Sequence, residues 1–199
     1  MTKIGMDLVK QLRDRTGAGM MDCKKALEES NGDIEKALES LRKKGADIAA
    51  KRAGKGTSEG IIHAYIHPGS QLGVLVEVNC ETDFVARTEA VANFAKDLCL
   101  QIAAFDPAYL SPEDVDSAFL DKERKFHTEQ MKESGKPENV IEKIVDGKIQ
   151  KLYTEVCLMN QQFVKNDKIT VADALKELIA KTGENIKVKR FAKFEIGTN

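Results

Sequence analysis

The residues best suited to chemistry gather in one stretch. Three carboxylates, Glu77, Glu81 and Asp83, lie beside Cys80, and His63 and His67 precede them. A carboxylate pair can serve as general acid and base, and residues 77 and 81 fall on the same face of a strand. No partner acid or metal ligand elsewhere completes such a site, so these acids read as a charged surface. His63 and His67 also share a strand face, but with Cys80 they make no recognised zinc spacing and lack a fourth ligand. Thr16-Gly17-Ala18-Gly19 is glycine-rich, yet it does not have the Gly, four residues, Gly-Lys-Ser/Thr pattern of a phosphate cradle following a strand. Nucleophile elbows, dinucleotide glycine patterns, metal-protease helices and cysteine–histidine signatures are likewise missing from the sequence. The expectation is a binding protein with no cofactor or metal and no bond-making catalysis.

The same stretch has a second kind of chemistry, that of recognition. Val74, Val76 and Val78 alternate as in a half-buried strand, whereas Val91, Phe94, Ala95, Leu98 and Ile102 recur at helical spacing. Asn79-Cys80-Glu81-Thr82-Asp83-Phe84-Val85-Ala86-Arg87-Thr88-Glu89 is therefore where a strand hands over to a helix. Thr82 and Asp83 are the candidate caps for the free N–H groups of that helix. Two readings of Phe84 remain open at this point. Thr82-Asp83-Phe84-Val85 is either a presented tip that pairs a carboxylate with a hydrophobic wedge, or the start of the helix, with Phe84 seven residues before Val91 on the buried stripe.

Upstream, residues 5 to 44 read as three short helices. Met6, Leu8, Val9 and Leu12 form the first apolar face, ended by Gly17; Met20, Cys23, Ala26 and Leu27 form the second, ended by Asn31-Gly32. Asp33 is placed to cap the third, with Ile34, Ala37, Leu38 and Leu41 as its face and Lys43-Lys44-Gly45 as its close. Adjacent Met20 and Met21 cannot easily share one narrow stripe: either one stands out as an adaptable contact or both pack within the small bundle. Lys51, Arg52 and Lys55 among Gly45, Gly54 and Gly56 suit a basic linker, solvated rather than bound to RNA.

Downstream, Ile61 to His67 and Leu72 to Asn79 flank the turn His67-Pro68-Gly69-Ser70 and predict a β-hairpin. Ser111-Pro112-Glu113-Asp114 announces a helix running to about Glu133, and Gly135-Lys136-Pro137 turns it into a second with Ile141, Ile144, Val145, Leu152, Val156 and Met159 on its stripe. These predict a helical hairpin over about 112–159. Gln161 to Asp167 reads as a connection, Thr170 as the cap of a last helix closed by Gly183, and Ile186 to Ile196 as a third strand. The fold class is α+β: a three-helix module over 1–45, a basic linker over 46–58, and a core domain over 59–199 with a small antiparallel sheet covered by helices.

The 199 residues carry 31 basic and 32 acidic side chains, a formal net charge of −1, which disfavours a general phosphate-backbone binder. No direct nucleic-acid contact is expected. No run approaches a membrane span and the N-terminus has no signal-peptide core, so the protein is expected in the cytoplasm. Cys23, Cys80, Cys99 and Cys157 are far apart, as suits small buried hydrophobes or free thiols in a reducing compartment.

Two long motifs in a fixed order, Thr16-Gly17-Ala18-Gly19-Met20-Met21-Asp22-Cys23-Lys24-Lys25-Ala26-Leu27 with Asn31-Gly32-Asp33-Ile34, and then Asn79 to Glu89, make the chain resemble the translation elongation factor Ts family over nearly its whole length. The resemblance implies a ubiquitin-associated-like module at the N-terminus and guanine nucleotide exchange on elongation factor Tu, in its GDP-bound and nucleotide-free forms. It further implies that Phe84, shaped by Thr82, Asp83 and Val85, enters an apolar pocket of the partner near its Mg²⁺, and that Met20 and Met21 belong to a second contact. The single strand–helix core unit resembles the short form of the family, for which a homodimer through the core domain is expected.

Overall fold

The computed structural model describes residues 4–132 and 136–197. Its elements are α1 (Met6–Thr16), α2 (Met20–Glu29), α3 (Ile34–Arg52), β1 (Glu59–Ile66), β2 (Leu72–Cys80), α4 (Asp83–Ala86), α5 (Glu89–Phe105), α6 (Ser117–Lys132), α7 (Glu138–Val156), β3 (Gln162–Phe163), β4 (Asn166–Thr170), α8 (Val171–Thr182) and β5 (Ile186–Glu195). The chain is mixed α+β, with a three-stranded antiparallel sheet of order β1-β2-β5 and a two-stranded sheet, β3-β4. Two compact units share it: Met1–His63, Glu77–Ala95 and Asp173–Lys189 in the first, Ala64–Val76, Lys96–Ala172 and Arg190–Asn199 in the second.

In the first unit, Val9, Leu12, Cys23, Ala26, Leu27 and Ala37 bury the facing sides of α1, α2 and α3. Gly17 takes φ 66° and returns its N–H to the Arg13 carbonyl at 2.6 Å, while Asp33 accepts the N–H groups of Glu35 and Lys36, both at 3.1 Å. These ends lie where the sequence places them. The end of α3 does not. It runs through Gly45 to Arg52, so most of the expected linker is helical. Ala46 to Lys51 are mostly good helix formers, and Gly45 is there for closeness: a Cβ on it would sit 3.3 Å from the Ala180 Cβ of α8.

In the second unit, Ile141, Val145 and Ile149 of α7 pack with Leu120 and Met131 of α6, and α6 buries no residue completely. The proposed turn at Gly135 lies outside the described residues. The start of α6 differs from expectation. Asp114 accepts both the N–H and the hydroxyl of Ser111, at 2.9 and 2.7 Å, and closes only one 3-10 turn. Val115 then goes into the core in an extended conformation, and Asp116 caps α6 afresh through the Ala118 N–H at 2.8 Å.

The segment read as a plain connection contains β3 and β4. Their anchor is Gln101 on α5, fully buried: its amide donates to Gln161 Oε1 at 3.0 Å and the Gln162 carbonyl at 3.1 Å, and its oxygen accepts the Val164 N–H at 2.7 Å. A buried amide with this many partners adds to the short antiparallel pairing of β3 with β4 in holding this polar segment.

Candidate functional site

The handover at the end of β2 is made of two separate caps. Thr82, in extended conformation, accepts the Val85 N–H at 3.4 Å and begins α4, which ends after Ala86. Thr88 then caps α5, with its hydroxyl 3.5 Å from the Val91 N–H and its carbonyl accepting from Ala92 at 3.1 Å. Because the chain restarts its helix at Thr88, the seven-residue spacing from Phe84 to Val91 does not place them on one stripe. Val91 is buried, whereas Phe84 is 82% exposed. The buried alternative for Phe84 is thereby removed. Thr82, and not Asp83, is the cap. Asp83 lies in the first turn and meets Arg87 at 3.0 Å in an exposed pair.

The tip is exposed but not loose. Thr82 gives both its donors to one carboxylate, its N–H to Glu184 Oε2 at 3.0 Å and its hydroxyl to Glu184 Oε1 at 2.7 Å. Glu184 sits just after α8, where Gly183 adopts φ 73° and ends the helix. Next to it, Asn185 donates its N–H to Glu81 Oε1 at 2.6 Å and its side-chain amide to the Lys55 carbonyl at 2.7 Å. The other oxygen of Glu81 lies 3.3 Å from Arg52. Cys80 is buried at the end of β2, and burial together with the Glu184 carboxylate pushes its thiol up to about 11. It therefore stays protonated at neutral pH, a poor nucleophile.

In the N-terminal module the two methionines part company. Met20 is half-buried against the three-helix core and Met21 is 75% exposed. Among the described residues no group of three or more His, Cys, Asp or Glu is placed to hold a metal ion, and no helix is long and apolar enough to cross a membrane.

The sequence profile of the family described as "Elongation factor TS" matches residues 2–198. The chain belongs to the elongation factor Ts family. It is 55% identical over 197 residues to the elongation factor Ts of Desulfosudis oleivorans, covering 99% of this chain and 100% of that protein. It is 56% identical over 194 residues to that of Carboxydothermus hydrogenoformans, covering 98% and 89%, and 54% identical over 195 residues to that of a Thermotoga species, covering 98% and 97%. Membership of the elongation factor Ts family puts the chain in the elongation phase of protein biosynthesis. In this family member the sequence shows the exposed turn at Phe84 only as one of two open readings, and it does not show what holds that turn. Glu184 and Asn185 lie more than a hundred residues from their partners at Thr82 and Glu81, and no local pattern marks them.

Proposed function

We propose that this protein is the guanine nucleotide exchange factor of elongation factor Tu, acting through Thr82, Asp83, Phe84 and Val85. The observation that carries the reading is an aromatic ring left in water on a tip whose backbone is tied at Thr82 to Glu184. A ring so placed has no role in its own core and a fixed direction of approach. Inserted into an apolar pocket of the partner, it displaces the elements that hold Mg²⁺ beside the nucleotide phosphates. Mg²⁺ tolerates little departure from octahedral geometry, so a small displacement weakens GDP.

Burying a Phe side chain is worth about 1.5–3 kcal/mol, which spent wholly on distortion weakens nucleotide on the order of ten- to hundredfold. Further acceleration requires the rest of the interface, with Met20 and Met21 as candidate anchors; the exposure of Met21 supports that role. No bond is made or broken. By reciprocity, whatever the factor does to nucleotide affinity, returning nucleotide does to the factor, so GTP displaces it.

We further propose a homodimer through the core domain. Its support is the apolar lining of a groove of about 430 Å³ in the second unit, where Ile66, Leu75, Phe194 and Ile196 are exposed.

The test is nucleotide dependence of the complex. A complex with nucleotide-free elongation factor Tu should dissociate on addition of GDP; a complex indifferent to GDP would mark a non-catalytic adaptor, binding a polypeptide or ribosomal RNA, instead.

A further inference from the structure

We propose that the turn between α8 and β5, through Glu184 and Asn185, is the brace that sets the direction of the tip and ties it to the end of α3. The proposal rests on the reading of residues 82–85 as the partner contact. Neither Glu184 nor Asn185 belongs to the tip, and both act through other residues, so they are positioning residues.

A chain of hydrogen bonds carries the argument. From α3, Arg52 meets Glu81, and the carbonyl of Lys55 accepts from Asn185, which is 2% exposed. Asn185 returns its N–H to Glu81 on the strand that leads into the tip. One residue earlier, Glu184 receives both donors of Thr82, and the Thr82 hydroxyl, its proton committed to Glu184, turns a lone pair to the Val85 N–H. The bonds from Arg52, Asn185 and Glu184 thus converge on Glu81 and Thr82, three and two residues before Phe84. A carboxylate accepting two hydrogen bonds fixes the Thr82 backbone as well as its side chain, and charge-assisted bonds are stronger than neutral ones. The turn itself is held in place by Gly183 in the left-handed region and by the Glu184 N–H, which donates to the Thr182 hydroxyl at 3.4 Å. Loosening the Glu184 end of the brace takes no apolar side chain out of the core, because Glu184 is a half-buried polar residue. What it loses is aim, and misplacement of a recognition group is expensive in rate.

Glu184→Gln keeps the side-chain volume but has one acceptor oxygen where two are needed. Release of a fluorescent GDP analogue from elongation factor Tu, followed against factor concentration, should show the maximal rate lowered roughly five- to tenfold. The half-saturating concentration should stay within about twofold, the mark of an interaction expressed in the activated complex and not in docking, and Tm within about 2 °C. Thr82→Val should lower the maximal rate by a similar factor, and the double variant by no more than the larger single loss, because both substitutions break one connection. In the free protein, the Val85 amide of Glu184→Gln should exchange with deuterium faster than in the wild type. A wild-type maximal rate in Glu184→Gln, losses that multiply in the double variant, or a loss of rate that merely follows Tm would overturn the brace. A wild-type protein that does not accelerate release at all would overturn the exchange reading itself, whatever the variants do.

Discussion

Phe84 and Ala86 stand two residues apart in a single helical turn, and one is 82% exposed while the other is 3% exposed. The four-residue helix α4 therefore has a wet face and a dry face, and Phe84 and Ala86 should answer differently to substitution. Phe84→Ala should change unfolding free energy by no more than about 0.5 kcal/mol, as for surface sites. Ala86→Leu should destabilise by about 1–3 kcal/mol through overpacking. Urea titrations of the two variants check this, and a large loss of stability in Phe84→Ala would return the ring to the core.

Gln101 is the polar keystone of the second unit. Gln101→Leu removes the acceptor of the Val164 N–H and the donor to Gln161 Oε1 at a fully buried position. Each group left without a partner costs about 1–3 kcal/mol, so a loss of roughly 3 kcal/mol is expected, seen as a lower urea midpoint with little change in slope. A loss below about 1 kcal/mol would mean that water reaches these groups.

The cap of α3 gives a pH dependence with a defined sign. The Lys36 backbone N–H, helped by that of Glu35 and by the Lys36 ammonium, holds the Asp33 carboxyl below its ordinary 3.8. A depressed folded value means that the cap stabilises fully above the unfolded value and is lost as pH falls through the lower, folded one. The Glu35 and Lys36 amide resonances, followed from about pH 5 to about pH 2, should titrate with a midpoint under 3.8. In Asp33→Asn that transition should vanish; a midpoint at or above 3.8 would show the carboxylate to be free of the helix end.

Phe194 and Ile196, near the end of the chain, test the dimer. Light scattering at micromolar concentration should return twice the chain mass, and Phe194→Asp should return the chain mass alone, since a charge on an apolar interface is left unpaired. A wild-type monomer at that concentration would contradict the dimer.

The parts of this structure legible in the sequence are those governed by period and punctuation. Val74, Val76 and Val78 gave away β2, Val91 to Ile102 gave away α5, and Gly17, Asp33 and Gly183 mark helix ends where expected. The tip was legible as a change of period, but its exposure depended on Thr88 acting as a second cap, and a spacing count from Phe84 passes over that interruption. Gly45 looked like a terminator because a glycine chosen for close approach to Ala180 has the same appearance in sequence as one chosen for a helix end. The brace and the Gln101 anchor were not legible. They are hydrogen bonds between residues far apart in the chain, made by ordinary polar side chains that leave no periodic trace.

Most directly, the central claim is tested by release of a fluorescent GDP analogue from bacterial elongation factor Tu, in excess unlabelled GDP and Mg²⁺, with this protein at catalytic concentration. Wild-type protein should accelerate release with turnover, and Phe84→Ala, still folded, should lose at least about tenfold of that acceleration. No acceleration by folded wild-type protein on an active partner, or full acceleration by Phe84→Ala, would contradict exchange through the tip.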